Sequence, residues 1–260
     1  MAPKNFRKGV IGIVGGMGPY AGLDLVRKVF DQTKASRDQD HINLVMVSFP
    51  KEIEDRTEFL IGRSQKNPAR SIANVVLQLE KLGATVAGIP CNTAHAPLIF
   101  NKITQRLRKA RCRTKLLNLI EETASYVGSM RAKPRRIGVL STTGSMKTGL
   151  YSNALKEYGL DIVELDENSQ ANLVQEAIYN SSYGIKSQSN PVTDRARQLV
   201  MEALQLLKEN GADVIILGCT ELPLAVDQLE FAGLPLVDPA VIFARSLIRH
   251  IDESKLKPTS

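Results

Sequence analysis

Gly83-Ala84-Thr85-Val86-Ala87-Gly88-Ile89-Pro90-Cys91-Asn92-Thr93-Ala94-His95 and Gly211-Ala212-Asp213-Val214-Ile215-Ile216-Leu217-Gly218-Cys219-Thr220-Glu221-Leu222-Pro223 read as two copies of one pattern. Each opens on Gly-Ala, continues through an apolar run, and ends at a cysteine followed by small polar residues. The two opening glycines are 128 positions apart, and so are the two cysteines. An apolar run of this length bounded by turn residues predicts a buried strand, so each thiol is expected at a strand end.

The flanking sequence repeats too. Val10-Ile11-Gly12-Ile13-Val14 is a short apolar strand that runs into Gly15-Gly16-Met17-Gly18-Pro19, with Pro19 suited to a helix start. Arg136-Ile137-Gly138-Val139-Leu140 echoes it, with Ser141-Thr142-Thr143-Gly144-Ser145 in place of the glycine loop. Helical spacing is read over residues 20–34, 70–82, 98–111, 121–130, 172–180 and 195–210. Further strands are read at 42–49, 116–120, 162–165 and from 234. Strands alternating with helices predict parallel sheets covered on both faces. The expected architecture is α/β: two pseudo-symmetric α/β/α domains, each with a parallel four-stranded sheet. Ligands of such sheets bind beyond the carboxyl ends of the strands, so Cys91 and Cys219 are expected on opposite walls of one cleft.

The chain of 260 residues is 43% apolar and carries a net charge of +7, an ordinary globular composition that can bury a core. No run reaches the length a membrane helix needs. Residues 1–8 carry charge but no apolar core, so no secretory signal is expected, and three cysteines fit a reducing cytoplasm. Much of the charge lies in residues 101–115, with Lys102, Arg106, Arg108, Lys109, Arg111, Arg113 and Lys115. No aromatic residue interleaves there to stack on bases, so the run is read as a solvated helix face and nucleic acid is not an expected partner. Gly16-Met17-Gly18-Pro19-Tyr20-Ala21 fits a dinucleotide fingerprint. However, Pro19 stiffens the turn and Asp40 precedes the second strand instead of ending it. A small-anion loop at a helix N-terminus reads better.

A lone buried cysteine is most often a small hydrophobe. Two at equivalent repeat positions, each beside Asn, Thr or Glu, point to chemistry instead. Metal is not expected, because no C-x-x-C spacing exists and His41, His95 and His250 form no ligand cluster. Cys112 has no repeat partner. Two opposed thiols suit inversion at a carbon acid: one takes the proton from one face of Cα, and the other returns a proton to the opposite face. A thiol whose pKa is lowered by a helix N-terminus or a nearby cation serves in both protonation states near neutral pH.

Ile11-Gly12-Ile13-Val14-Gly15-Gly16-Met17-Gly18-Pro19, Pro90-Cys91-Asn92-Thr93-Ala94-His95 and Leu217-Gly218-Cys219-Thr220-Glu221-Leu222-Pro223 resemble the aspartate racemase branch of the aspartate/glutamate racemase superfamily. Asp55-Arg56-Thr57, Leu140-Ser141-Thr142-Thr143-Gly144-Ser145 and Ile185-Lys186 match as well. The resemblance implies a racemase of acidic amino acids that needs no cofactor and is commonly homodimeric. Cys91 and Cys219 would be its two acid/bases. Arg56 and Lys186 would be cations drawing in a dicarboxylic substrate, although a lysine in a loop such as Asn180-Ser181-Ser182-Tyr183-Gly184 is more often simply solvated. Asn92, Thr93, Thr220 and Ser145 would donate to the substrate carboxylate, with Met17 lining the wall and Thr142 nearby. Ser145 stands where the family usually has threonine. Glu221 would orient the substrate amine or cap the following helix. The resemblance also implies that the final strand and helix return to the first domain, giving residues 1–112 plus 230–260 and residues 113–229.

The leading expectation is interconversion of L- and D-aspartate. Its alternatives are a glutamate or broad-specificity amino-acid racemase, or a non-catalytic amino-acid or anion-binding protein on the same scaffold.

Overall fold

The computed structural model describes residues 9–226 and 228–258. The N-terminal stretch from which the lack of a secretory signal was read lies outside the described residues. The first sheet holds β1 (Val10–Gly15), β2 (Asn43–Ser48), β3 (Ala84–Gly88) and β4 (Lys115–Leu116) in the order β2-β1-β3-β4. All its pairings are parallel. The helices around these strands are α1 (Pro19–Gln32), α2 (Arg56–Leu60), α3 (Ala69–Lys81) and α4 (Pro97–Lys109); α5 (Leu119–Gly128) follows β4 and runs on into the second unit.

The second sheet holds β5 (Arg136–Ser141), β6 (Asp161–Val163), β7 (Val214–Gly218), β8 (Glu230–Phe231) and β9 (Leu234–Val237) in the order β6-β5-β7-β9-β8. Its helices are α6 (Thr143–Lys147), α7 (Leu150–Lys156), α8 (Glu167–Ser169), a π turn at Gln170–Gln175, α9 (Glu176–Tyr179), α10 (Asp194–Glu209) and α11 (Leu222–Ala225). α12 (Pro239–Asp252) follows β9.

The duplication is visible in topology. β5, β6, β7 and β9 occupy the places of β1, β2, β3 and β4. Ile72, Val75, Val76 and Leu79 of α3 are buried, and so are Val200, Ala203, Leu204 and Leu207 of α10, each 128 positions on. Both helices end at the glycine that opens a quoted stretch. Gly83 has φ 96° and Gly211 φ 82°, and each donates its N–H back into the last helical turn. This left-handed position is the one a helix C-terminus gives to glycine.

Each sheet is covered on both faces. Alternation along a strand sends neighbouring side chains to opposite sides. A Cβ on Gly12 would meet Leu79 of α3 at 3.2 Å, whereas one on Gly88 would meet Phe243 of α12 at 2.7 Å. In the second sheet, Ile215 and Leu217 share a core with Leu204 and Leu207 of α10, while a Cβ on Gly218 would meet Tyr151 of α7 at 2.9 Å.

Three expectations differ from what is found. The second sheet has five strands: β8 pairs antiparallel with β9 across Ala232-Gly233, both at positive φ as a two-residue hairpin turn requires. The strand expected over 116–120 stops at Leu116, because the Asn118 side chain accepts the Ile120 N–H at 3.0 Å and starts α5. The last strand, expected with the first domain, pairs with β7 of the second sheet, and only the helix after it rejoins the first unit. One compact unit runs to Glu122 and resumes at Ala240; the other is Thr123–Pro239. The boundaries differ from 112/113 and 229/230 because β4 is bonded to β3 and β9 to β7.

Among the described residues no helix is long and apolar enough to cross a membrane. All seven basic residues of 101–115 are exposed, while Ile103 and Leu107 of α4 face the core.

Candidate active site

Within the first unit, β3 delivers the chain to Ile89-Pro90-Cys91. The Cys91 N–H donates to the Ile89 carbonyl at 2.8 Å, closing a three-residue turn centred on Pro90. A short 3₁₀ turn, Asn92–His95, follows at once, and all four of its residues are buried. Cys91 is 5% exposed. It shares an apolar cluster with Met17, Ile53 and Ile89, so the loop after β1 and the end of β3 meet in one core. α2 packs against the 3₁₀ turn, which brings the helix carrying Arg56 to the Cys91 segment. Asp55 caps that helix by accepting the Glu58 N–H at 2.9 Å. Arg56 is buried and donates from Nη1 to the Glu54 carbonyl at 3.1 Å.

Within the second unit, β5 and β7 run side by side and pair Ser141 with Gly218. Thr142 and Cys219, the next residues, therefore leave adjacent strand ends together. Thr142 caps α6 by accepting the Ser145 N–H at 3.3 Å, and its hydroxyl lies 3.1 Å from that of Ser145. Both are buried. Gln170 of the π turn donates to the Ser141 carbonyl at 2.8 Å and fixes the end of β5.

Cys219 is 4% exposed, and its thiol donates to Glu221 Oε2 at 3.1 Å. The Thr220 hydroxyl donates to the same oxygen at 3.3 Å. Lys186 Nζ holds the other oxygen, Oε1, and lies 5.4 Å from the centroid of the Tyr179 ring. Glu221 stands at the start of α11 but makes no side-chain cap bond there, so the capping role weighed for it is not the one seen. Lys186 is not a solvated loop lysine. The Ile185 and Lys186 N–H groups donate to Ala177 and Ile178 carbonyls of α9, and Ile185 is fully buried, so the loop is anchored.

The electrostatics of Cys219 run against the expectation of a lowered thiol pKa. Burial first, and then the Glu221 carboxylate, push the thiol well above its ordinary value, and the pull of Lys186 does not reverse them. Tyr151 is a neighbour the sequence did not mark. It is buried on the β7 side of α7, where burial first and then the Cys219 and Asp238 charges raise its phenol. In the sequence it is one apolar position of a short amphipathic helix, with nothing to set it apart. Among the described residues no three His, Cys, Asp or Glu side chains converge on a possible metal position.

The first unit thus gathers Met17, Arg56, Cys91, Asn92 and Thr93 around one strand end. The second gathers Thr142, Ser145, Lys186, Cys219, Thr220 and Glu221 around the equivalent one.

Several known proteins of similar sequence and structure are racemases. The chain is 26% identical over 245 residues to the broad specificity amino-acid racemase RacX of Bacillus subtilis (strain 168), covering 92% of this chain and 96% of that one. It is 25% identical over 197 residues to glutamate racemase 3 of Caldanaerobacter subterraneus subsp. tengcongensis, covering 73% of this chain and 64% of the relative. Its structure matches the Picrophilus torridus aspartate racemase with a TM-score of 0.78 at 27% identity, over 96% of each chain. A family model described as Asp/Glu/Hydantoin racemase matches residues 14–247, a span that contains both cysteine turns, and the chain belongs to that family.

Proposed function

We propose that this amino-acid racemase interconverts L- and D-aspartate, with Cys91 and Cys219 as its two acid/bases and no organic cofactor in the reaction. The observation that carries the reading is the matched placement of the thiols: each is buried, follows the third strand of its sheet in chain order, and is flanked by buried polar side chains. A proton leaves Cα to one thiolate, and the other thiol returns a proton to the opposite face. Cys219 carries its proton against Glu221, which suits it to the donating role in one direction. Arg56, Asn92, Thr93, Thr142, Ser145, Thr220 and Lys186 supply positive charge and donors for the substrate carboxylates, and Met17 supplies an apolar wall. Lys186 does so while paired with Glu221.

Aspartate is favoured over glutamate by the full-length match to the Picrophilus aspartate racemase. A broad-specificity racemase is the second reading, favoured by the near-full-length similarity to RacX. A homodimer in the cytoplasm, without nucleic acid as a partner, completes the proposal.

The test is a panel of L-aspartate, L-glutamate and neutral L-amino acids, with each D-isomer quantified by chiral chromatography. The expected result is kcat/KM for aspartate at least tenfold above every other substrate. Comparable values across the panel establish the broad-specificity reading instead. No D-isomer from any member contradicts both.

A further inference from the structure

His95 closes the repeat motif that carries Cys91, and nothing in the proposed reaction uses it. Its ring is 3% exposed and its Nε2 lies 3.1 Å from the Ile89 carbonyl oxygen. A carbonyl only accepts, so Nε2 carries the proton. The same carbonyl accepts the Cys91 N–H at 2.8 Å. Both of its lone pairs are therefore engaged, one by the thiol-bearing residue and one by a ring four residues further on. The ring itself is wedged between two others. Its centroid lies 4.9 Å from that of Phe100 in α4 and 6.2 Å from that of Phe243 in α12, the latter edge-on at 87°. Burial outweighs the hydrogen bond to Ile89 and holds the imidazole pKa down to about 4, so the ring is a neutral donor throughout the neutral range.

We propose that His95 is a positioning residue for Cys91: its Nε2–H, fixed between two phenylalanine rings, pins the Ile89 carbonyl and with it the tight turn at Pro90 that presents the thiol. The proposal rests on the reading of Cys91 as one of the two acid/bases. A three-residue turn is held by one short-range bond of poor geometry, and without a second donor it has room to rock. A displacement of about 1 Å at a reacting group costs on the order of a hundredfold in rate.

The test compares three variants: His95→Phe, His95→Asn and His95→Gln. Phenylalanine keeps the ring packing and removes the donor. Glutamine places an amide nitrogen where Nε2 stood, whereas asparagine places one where Nδ1 stood. Two readouts are taken on each folded variant: kcat and KM for racemisation, and the iodoacetamide alkylation rates of Cys91 and Cys219 in the same molecule by peptide mass spectrometry. The expected result for His95→Phe and His95→Asn is a kcat lower by ten- to a hundredfold, with KM within about threefold of wild type. The Cys91 alkylation rate should change severalfold while Cys219 stays constant, and His95→Gln should restore both readouts most of the way. Cys91 and Cys219 alkylation that move together, or a glutamine variant no better than asparagine, overturns the proposal. If wild type racemises nothing, the functional reading fails, and the ratio of the two alkylation rates still decides whether His95 positions Cys91.

Discussion

Glu221 ties a thiol to a cation: one carboxylate oxygen takes the Cys219 S–H and the other takes Lys186 Nζ. Its negative charge raises the Cys219 pKa, and Lys186 lowers it. Glu221→Gln removes the raising charge and leaves the lowering one. The pH at which Cys219 alkylates at half its maximal rate is therefore expected to fall in this variant. An unchanged or higher midpoint contradicts the arrangement. His95 gives a second prediction, on stability. Its pKa is about 4 in the fold against an ordinary 6.5, so between these values the unfolded chain binds the extra proton. The stability tied to the neutral ring is full above pH 6.5 and is lost as pH falls toward 4, by about 3 kcal/mol in total. Urea unfolding between pH 7 and pH 4 should show this loss in wild type and a smaller one in His95→Gln. At this scale the sequence showed both thiols and their polar neighbours, because a repeat marks equivalent positions without reference to folding. It did not show the Glu221–Lys186 pair, whose members are 35 positions apart, nor the ring of Tyr151 against β7. Such contacts arise from packing, which no local pattern encodes.

The elements that place the thiols are two strand–turn units preceded by helices that stop on glycine. A Cβ on Gly83 would make only an ordinary contact, 4.0 Å from Val10 Cγ2, so substitution there meets backbone strain alone. Gly83→Ala is expected to cost about 1 kcal/mol in chemical denaturation, with the fold retained. Gly88→Ala meets Phe243 at 2.7 Å instead and should cost more, about 1–3 kcal/mol by overpacking. Equal costs for the two would contradict the packing of α12 on β3. Strand and helix identities were readable from periodicity for the longer elements. The short ones were not: β4 is two residues long, ended by an asparagine cap, and β8 exists only as the partner of β9.

Over the whole molecule, the sequence carried the duplication and the parallel α/β class, since a period of 128 survives in both buried helix faces and both cysteine turns. Which sheet β9 joins was not readable, because Leu-Pro-Leu-Val has no feature that selects one sheet over another. The duplication bears on the proposed function because two-base racemisation needs one acid/base group on each face of Cα. In the proposed mechanism the two copies of one strand end supply those groups, and their differing neighbours, Asn92-Thr93 and Thr220-Glu221, would let each copy serve one enantiomer. The most direct measurement incubates wild type, Cys91→Ala and Cys219→Ala with L- and D-aspartate separately in deuterium oxide, following α-proton loss by NMR and inversion by chiral chromatography. Wild type should exchange and invert both enantiomers. Each alanine variant should lose inversion by at least a thousandfold, and any exchange it retains should be confined to one enantiomer, opposite for the two variants. Inversion at the wild-type rate in either variant would contradict the two-thiol account.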